Sequence, residues 1–100
     1  MLKIQINGKQ YPCYVTMGAL VKVEKELGHS ITKMKPDSLE ELLTLMWCQC
    51  WGACRREGIE FPFSLEDFAD ALEQEEFTKW AIAQAQGEVD DSAKGKKKVK

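Results

Sequence analysis

Residues 38–58 read SLEELLTLMWCQCWGACRREG, and the fold turns on this stretch. Ser38 followed by Glu41 forms a capping box, in which hydroxyl and carboxylate satisfy backbone N–H groups left unpaired where a helix starts. Gly58 supplies the stop, because glycine readily adopts the left-handed conformation that closes a helix. Between them Leu39, Leu42, Leu43, Met46, Cys50, Ala53 and Cys54 fall on one stripe at about 100° per residue. Trp47 and Trp51 widen the stripe along one flank, while Leu45 and Cys48 point elsewhere. Nothing charged occurs from Leu42 through Cys54, a run of thirteen residues. A bilayer needs about 20 apolar residues, so the run does not span one. A helix this apolar is either the centre of its own domain or partly buried against another chain, and the pattern leaves both open. A chain of 100 residues has few other elements with which to cover it. Leu45, Met46, Trp47 and Trp51 are therefore the candidate protein-binding residues, since tryptophan and methionine are enriched at interface cores.

On the N-terminal side, Leu2, Ile4 and Ile6 alternate with Lys3 and Gln5, the period of a half-buried strand. Asn7-Gly8 is the dipeptide that best tolerates the positive φ angles of a tight hairpin turn. The return strand is expected over Tyr11–Thr16, with Pro12 demanding an edge position. Thr16 caps a first helix that runs to Leu27 and stops at Gly28, with Met17, Leu20, Val21, Val23 and Leu27 on one broad face. Residues 29–37 are a connector. On the C-terminal side, Ile59–Phe63 is a turn whose aromatics should dock on the core. Ser64 opens another capping box with Asp67, and a break near Gln74 permits a fourth helix through Phe77, Trp80, Ala81 and Ala83. The fold expected is α+β and mainly α: an N-terminal β-hairpin followed by three to four helices and a disordered C-terminal tail. Residues 1–86 form one compact domain, and residues 87–100 a lysine-rich tail.

Composition narrows the function classes. The net charge of −2 conceals a division: nine basic and sixteen acidic residues lie up to Ala93, and the last seven residues hold five lysines. An acidic body disfavours nucleic acid, and the lysine run lacks interleaved aromatics for base stacking. The N-terminus lacks the apolar core of a signal peptide, so a cytoplasmic location is expected, with no membrane partner. Cys50 and Cys54 share a helix face with Cys48 turned away, no CxxC pair exists, and His29 stands alone, so neither metal nor cofactor is assigned. There is no glycine-rich phosphate loop and no nucleophile elbow. The carboxylates of residues 66–76 read as a solvated face, so no catalytic residue is assigned and the protein reads as a non-enzyme.

Particular stretches carry a resemblance. Ile6-Asn-Gly-Lys9, Tyr11-Pro12 and Thr16-Met-Gly-Ala-Leu20 resemble the start of small tail assembly chaperones of long-tailed bacteriophages and prophages. The segment Ala53-Cys-Arg-Arg-Glu-Gly-Ile-Glu-Phe-Pro-Phe-Ser-Leu-Glu-Asp-Phe-Ala-Asp70 is similar to the same group. The resemblance implies a small, mainly helical, non-enzymatic protein in the bacterial cytoplasm. Such a protein binds the tape measure protein during tail building, contacts tail tube subunits in some cases, and is absent from the finished particle. It further implies a longer product made by frameshifting, for which codons of Gly95–Lys98 would offer an adenine-rich slippery run. A homo-oligomer fits the apolar helix equally. The alternatives are a small oligomeric head–tail component retained in the particle, and a small regulatory or nucleic-acid-associated protein using its lysine tail.

Overall fold

The computed structural model describes residues 2–35 and 37–85. Along the chain run β1 (Lys3–Ile6), β2 (Lys9–Pro12), α1 (Met17–Leu27), a 3-10 turn (Ile31–Lys33), α2 (Leu39–Glu57), α3 (Leu65–Ala71) and α4 (Gln74–Ala85). This is the expected hairpin followed by helices, four of them. The expected disordered tail, residues 87–100, lies outside the described residues.

Asn7 and Gly8 take φ angles of 53° and 82°, and this tight turn pairs Ile6 with Lys9 in an antiparallel ladder. The return strand is shorter than the sequence suggests and ends at Pro12, not Thr16. The paired register ends there: Pro12 faces Lys3, and beyond it Cys13 N–H reaches the Leu2 carbonyl at 3.0 Å. The outer edge of β1 is also covered. Ile6 bridges to Leu72, and Gln5 N–H donates to Glu76 Oε1 at 3.0 Å. That donated hydrogen bond is the main reason the Glu76 carboxyl sits below its ordinary pKa.

Every anticipated hydroxyl and glycine cap is present, but the Glu41 half of the first capping box is not formed. Thr16, Ser38 and Ser64 accept from the N–H groups of Ala19, Glu41 and Asp67, and Gly28 and Gly58 are left-handed at the helix ends. The break between α3 and α4 falls at Leu72–Glu73. Leu72 is extended, which frees it to bridge Ile6, and the Glu73 carbonyl accepts from Glu76 and Phe77.

α1 is rolled relative to the expected face. Ala19 and Val23 are buried, whereas Met17 and Val21 are 76% and 53% exposed. Val21 stands about 200° from each of those two buried residues, on the opposite side of the helix. The reason is α2. A Cβ at Gly52 would lie 3.0 Å from Ala19 Cβ, so at this crossing the two helices meet through their smallest residues.

α2 is the central element, packed against α1, α3 and β2. Ile4, Ile6, Tyr11, Val23, Met46, Phe68 and Trp80 surround it in one core. The turn after Gly58 docks as expected. Tyr11 meets Phe61 and Phe63 edge-on, with ring centroids 5.5 and 5.7 Å apart. Two polar side chains lie inside, Thr44 and Gln49, and Thr44 Oγ1–H donates to the Glu40 carbonyl at 2.8 Å. Gln49 Oε1 accepts from Trp80 Nε1–H at 3.0 Å and stands 3.8 Å from Cys13 Sγ, while its Nε2 donates to Gln84 at 3.3 Å. An unsatisfied buried amide would be costly, and here both ends of the group have partners.

Candidate protein-binding site

The four residues singled out in the sequence do not form one outer patch. Met46 is completely enclosed and belongs to the core, so it is not available as a contact surface. Trp47 is only 8% exposed, and its Nε1–H donates to the Phe63 carbonyl at 2.9 Å. A buried indole needs such an acceptor, so Trp47 fixes the Ile59–Phe63 turn instead of facing a partner. Leu45 and Trp51 are half-buried. Of the four, Trp51 alone lines a groove described below.

That groove runs between the start of α1 and the end of α2. Thr16, Gly18, Val21, Trp51, Gly52, Arg55 and Arg56 enclose a volume of about 550 Å³. Close approach of the helices at Gly52 forms its floor, and the rolled α1 brings Val21 to its wall. Cations flank Trp51: Lys22 Nζ lies 4.5 Å from one of its ring centroids and Arg55 Cζ 5.3 Å. Lys22 also stands 4.7 Å from Trp47. The negative faces of the indoles attract these cations, which keeps the two long side chains close to the ring. Lys22 has a weak contact with Glu26 at 3.9 Å. Among the described residues Arg55 and Arg56 have no ion-pair partner. Both lie in the last turn of α2, where the helix dipole favours positive charge.

A second groove, about 320 Å³, lies between the start of α2 and α3 and is lined by Leu39, Leu43, Leu65 and Ala69 with Glu40 and Glu66. Leu39 is 60% exposed at its mouth. The two grooves differ in charge, basic beside Trp51 and acidic here.

Groups with reactive chemistry are placed differently. All four cysteines are free and buried. Burial pushes the Cys48 thiol up to about 12 and the Cys54 thiol up to about 11. A hydrogen bond with Cys13, then burial, raises Cys50 well above its ordinary value. Thiols held protonated in this way are poor nucleophiles and poor metal ligands at neutral pH. Among the described residues, no three His, Cys, Asp or Glu side chains converge as ligands for a metal ion. His29 is engaged locally: Nδ1–H donates to the Ser30 carbonyl at 2.9 Å, and Nε2 lies 3.3 Å from Glu41 Oε2. Glu41 Oε1 accepts from Lys35 N–H, so the carboxylate of the capping box holds the connector rather than its own serine. No helix among the described residues is long and apolar enough to cross a membrane.

Sequence reasoning missed Val21, Gly52, Arg55 and Arg56 as members of this site. Gly52 carried a signal, since a glycine inside a long helix costs about 1 kcal/mol relative to alanine and needs a packing reason. No family model, curated protein or solved structure matches the chain.

Proposed function

We propose that this protein is a non-enzymatic chaperone of phage or prophage tail assembly, which holds an apolar helical segment of the tape measure protein until the tail is built. The observation that carries this reading is the groove beside Trp51, extended by exposed Met17 and Val21 on α1. Val21 and Met17 are one helical turn apart, the spacing that receives alternate anchors of an amphipathic helix. The stretches that resemble small tail assembly chaperones supply the identity of the client. A long helical client would aggregate through its apolar stripes, and a small holder with a net negative charge keeps the pair soluble.

Co-expression tests the reading. The tape measure protein encoded beside this gene should stay soluble with the wild-type chain and precipitate with Val21→Asp or Trp51→Ala. A client equally soluble with and without this protein would overturn the proposal. Mass spectrometry of purified particles separates the head–tail component from the chaperone, since the chaperone should be missing.

A further inference from the structure

We infer that the groove beside Trp51 is built for an acidic amphipathic helix: a partner segment whose apolar stripe is flanked by carboxylates. This deepens the holding function proposed above and rests on it. Residues 2–85 include nine basic and thirteen acidic side chains, yet no acid lines this groove and two arginines do. A positive strip on a negative body discriminates between partners. An acidic segment is repelled over most of the surface and attracted here, and a basic segment experiences the reverse.

Desolvation sharpens the choice. Arg55 lies against Trp51, and Arg56 lines the same groove. A purely apolar helix seated on Val21 and Trp51 would strip water from these guanidinium groups and offer them nothing in return, which is unfavourable. Carboxylates beside the apolar stripe restore the lost hydrogen bonds, and the planar guanidinium accepts a carboxylate through two parallel N–H donors. Stacking on the indole holds the Arg55 fork in place before the partner arrives, so little rotamer freedom is lost on binding. The helix dipole accounts for positive charge at the end of α2, but it does not place an exposed valine, a tryptophan and two arginines around one cleft.

The test uses the full chain and three dye-labelled synthetic helices of about 18 residues, long enough to hold helical structure. They share one leucine stripe and carry Glu, Gln or Lys beside it. Fluorescence anisotropy at low salt should show the Glu peptide binding at least about tenfold tighter than the Gln peptide. The Lys peptide should be weakest, and the Glu preference should shrink as salt is added. Arg55→Gln/Arg56→Gln should abolish the preference while leaving the helical circular dichroism unchanged, and Val21→Asp should weaken all three peptides. Equal binding of the Glu and Gln peptides, or a preference that survives the double arginine variant, overturns the inference. If Val21→Asp still weakens every peptide in that case, the holding surface stands and only its charge selectivity falls. If neither Val21→Asp nor Trp51→Ala changes any binding, the surface itself was wrongly placed.

Discussion

Gly52→Ala should destabilise the protein, although the substitution favours a helix. In an isolated helix the change gains about 1 kcal/mol from propensity. Here the new methyl would lie 2.6 Å from Thr16 Oγ1, 3.0 Å from Ala19 Cβ and 3.5 Å from Ala19 Cα. The threonine hydroxyl can turn aside only by releasing Ala19 N–H, its capping partner at 3.0 Å, and a lost cap costs about 1 kcal/mol. Ala19 has no side-chain torsion to turn, so α1 must shift as a body. Overpacking of this kind typically costs about 1–3 kcal/mol. The losses outweigh the propensity gain and leave a net destabilisation of about 1–3 kcal/mol, or a Tm lowered by roughly 4–8 °C for each kcal/mol. Urea denaturation followed by far-ultraviolet circular dichroism measures it. Thr16→Ala removes the closest clash and the cap together. The double variant should therefore lose less than the sum of the two single losses, because the cap is counted once. A Gly52→Ala protein as stable as the wild type, or more stable, would refute the close-packing account of both the α1 roll and the groove floor.

The two tryptophans of α2 should behave differently. Trp47→Ala, which empties a core position and orphans the Phe63 carbonyl, should cost about 3–5 kcal/mol in a denaturant titration. Trp51→Ala should lose far less stability and more client binding. The His29–Glu41 contact predicts a pH dependence. Donation to the Ser30 carbonyl, then the Glu41 carboxylate, raises the His29 pKa above 6.5, so its contribution is complete below 6.5 and disappears as pH climbs through the raised native value. The Lys35 N–H, with help from His29, lowers Glu41 beneath 4.5, and that contribution disappears as pH falls through the lowered value. His29→Gln should flatten the decline in Tm above pH 6.5 and leave the acid limb in place. Finally, the raised thiol pKa values protect the folded state up to pH 9 and weaken it between pH 9 and about 12, as the unfolded cysteines ionise first. A thiol reagent at pH 8 should label the native protein only as fast as it unfolds, and rapid labelling of Cys48 or Cys50 would contradict their burial.

Local chemistry made most of the fold legible. Asn7-Gly8, the three hydroxyl caps and the two terminal glycines act within a few residues of themselves, so their effect can be read from the chain. What could not be read depended on partners distant in sequence. β2 ends at Pro12, opposite Lys3, and that end is set by the pairing register with β1, which the return strand's own residues do not reveal. Periodicity gave Met17 and Val21 the same rank as Val23, and only Gly52 selects which side of α1 turns inward. The candidate site suffered from the same limit. Met46 and Trp47 are apolar in the manner of an interface, yet Met46 lies inside the core and Trp47 is tied to the Phe63 carbonyl. Gln49 carries no local signal, and its role emerges only when Trp80 and Cys13 meet it.

The seam between β1 and the α3–α4 junction bears on how the chain is made. Ile6 and Gln5 find their outer partners only at Leu72 and Glu76. At about 5–20 residues per second, a ribosome takes roughly 3–13 seconds to travel that distance. A hairpin closes within microseconds, so the first element synthesised waits for seconds with one strand edge open to any neighbouring chain. Glu76 closes that interval with a single carboxylate. A transcript slowed between codons 7 and 72 would lengthen the exposure and give more aggregate from an unchanged amino-acid sequence.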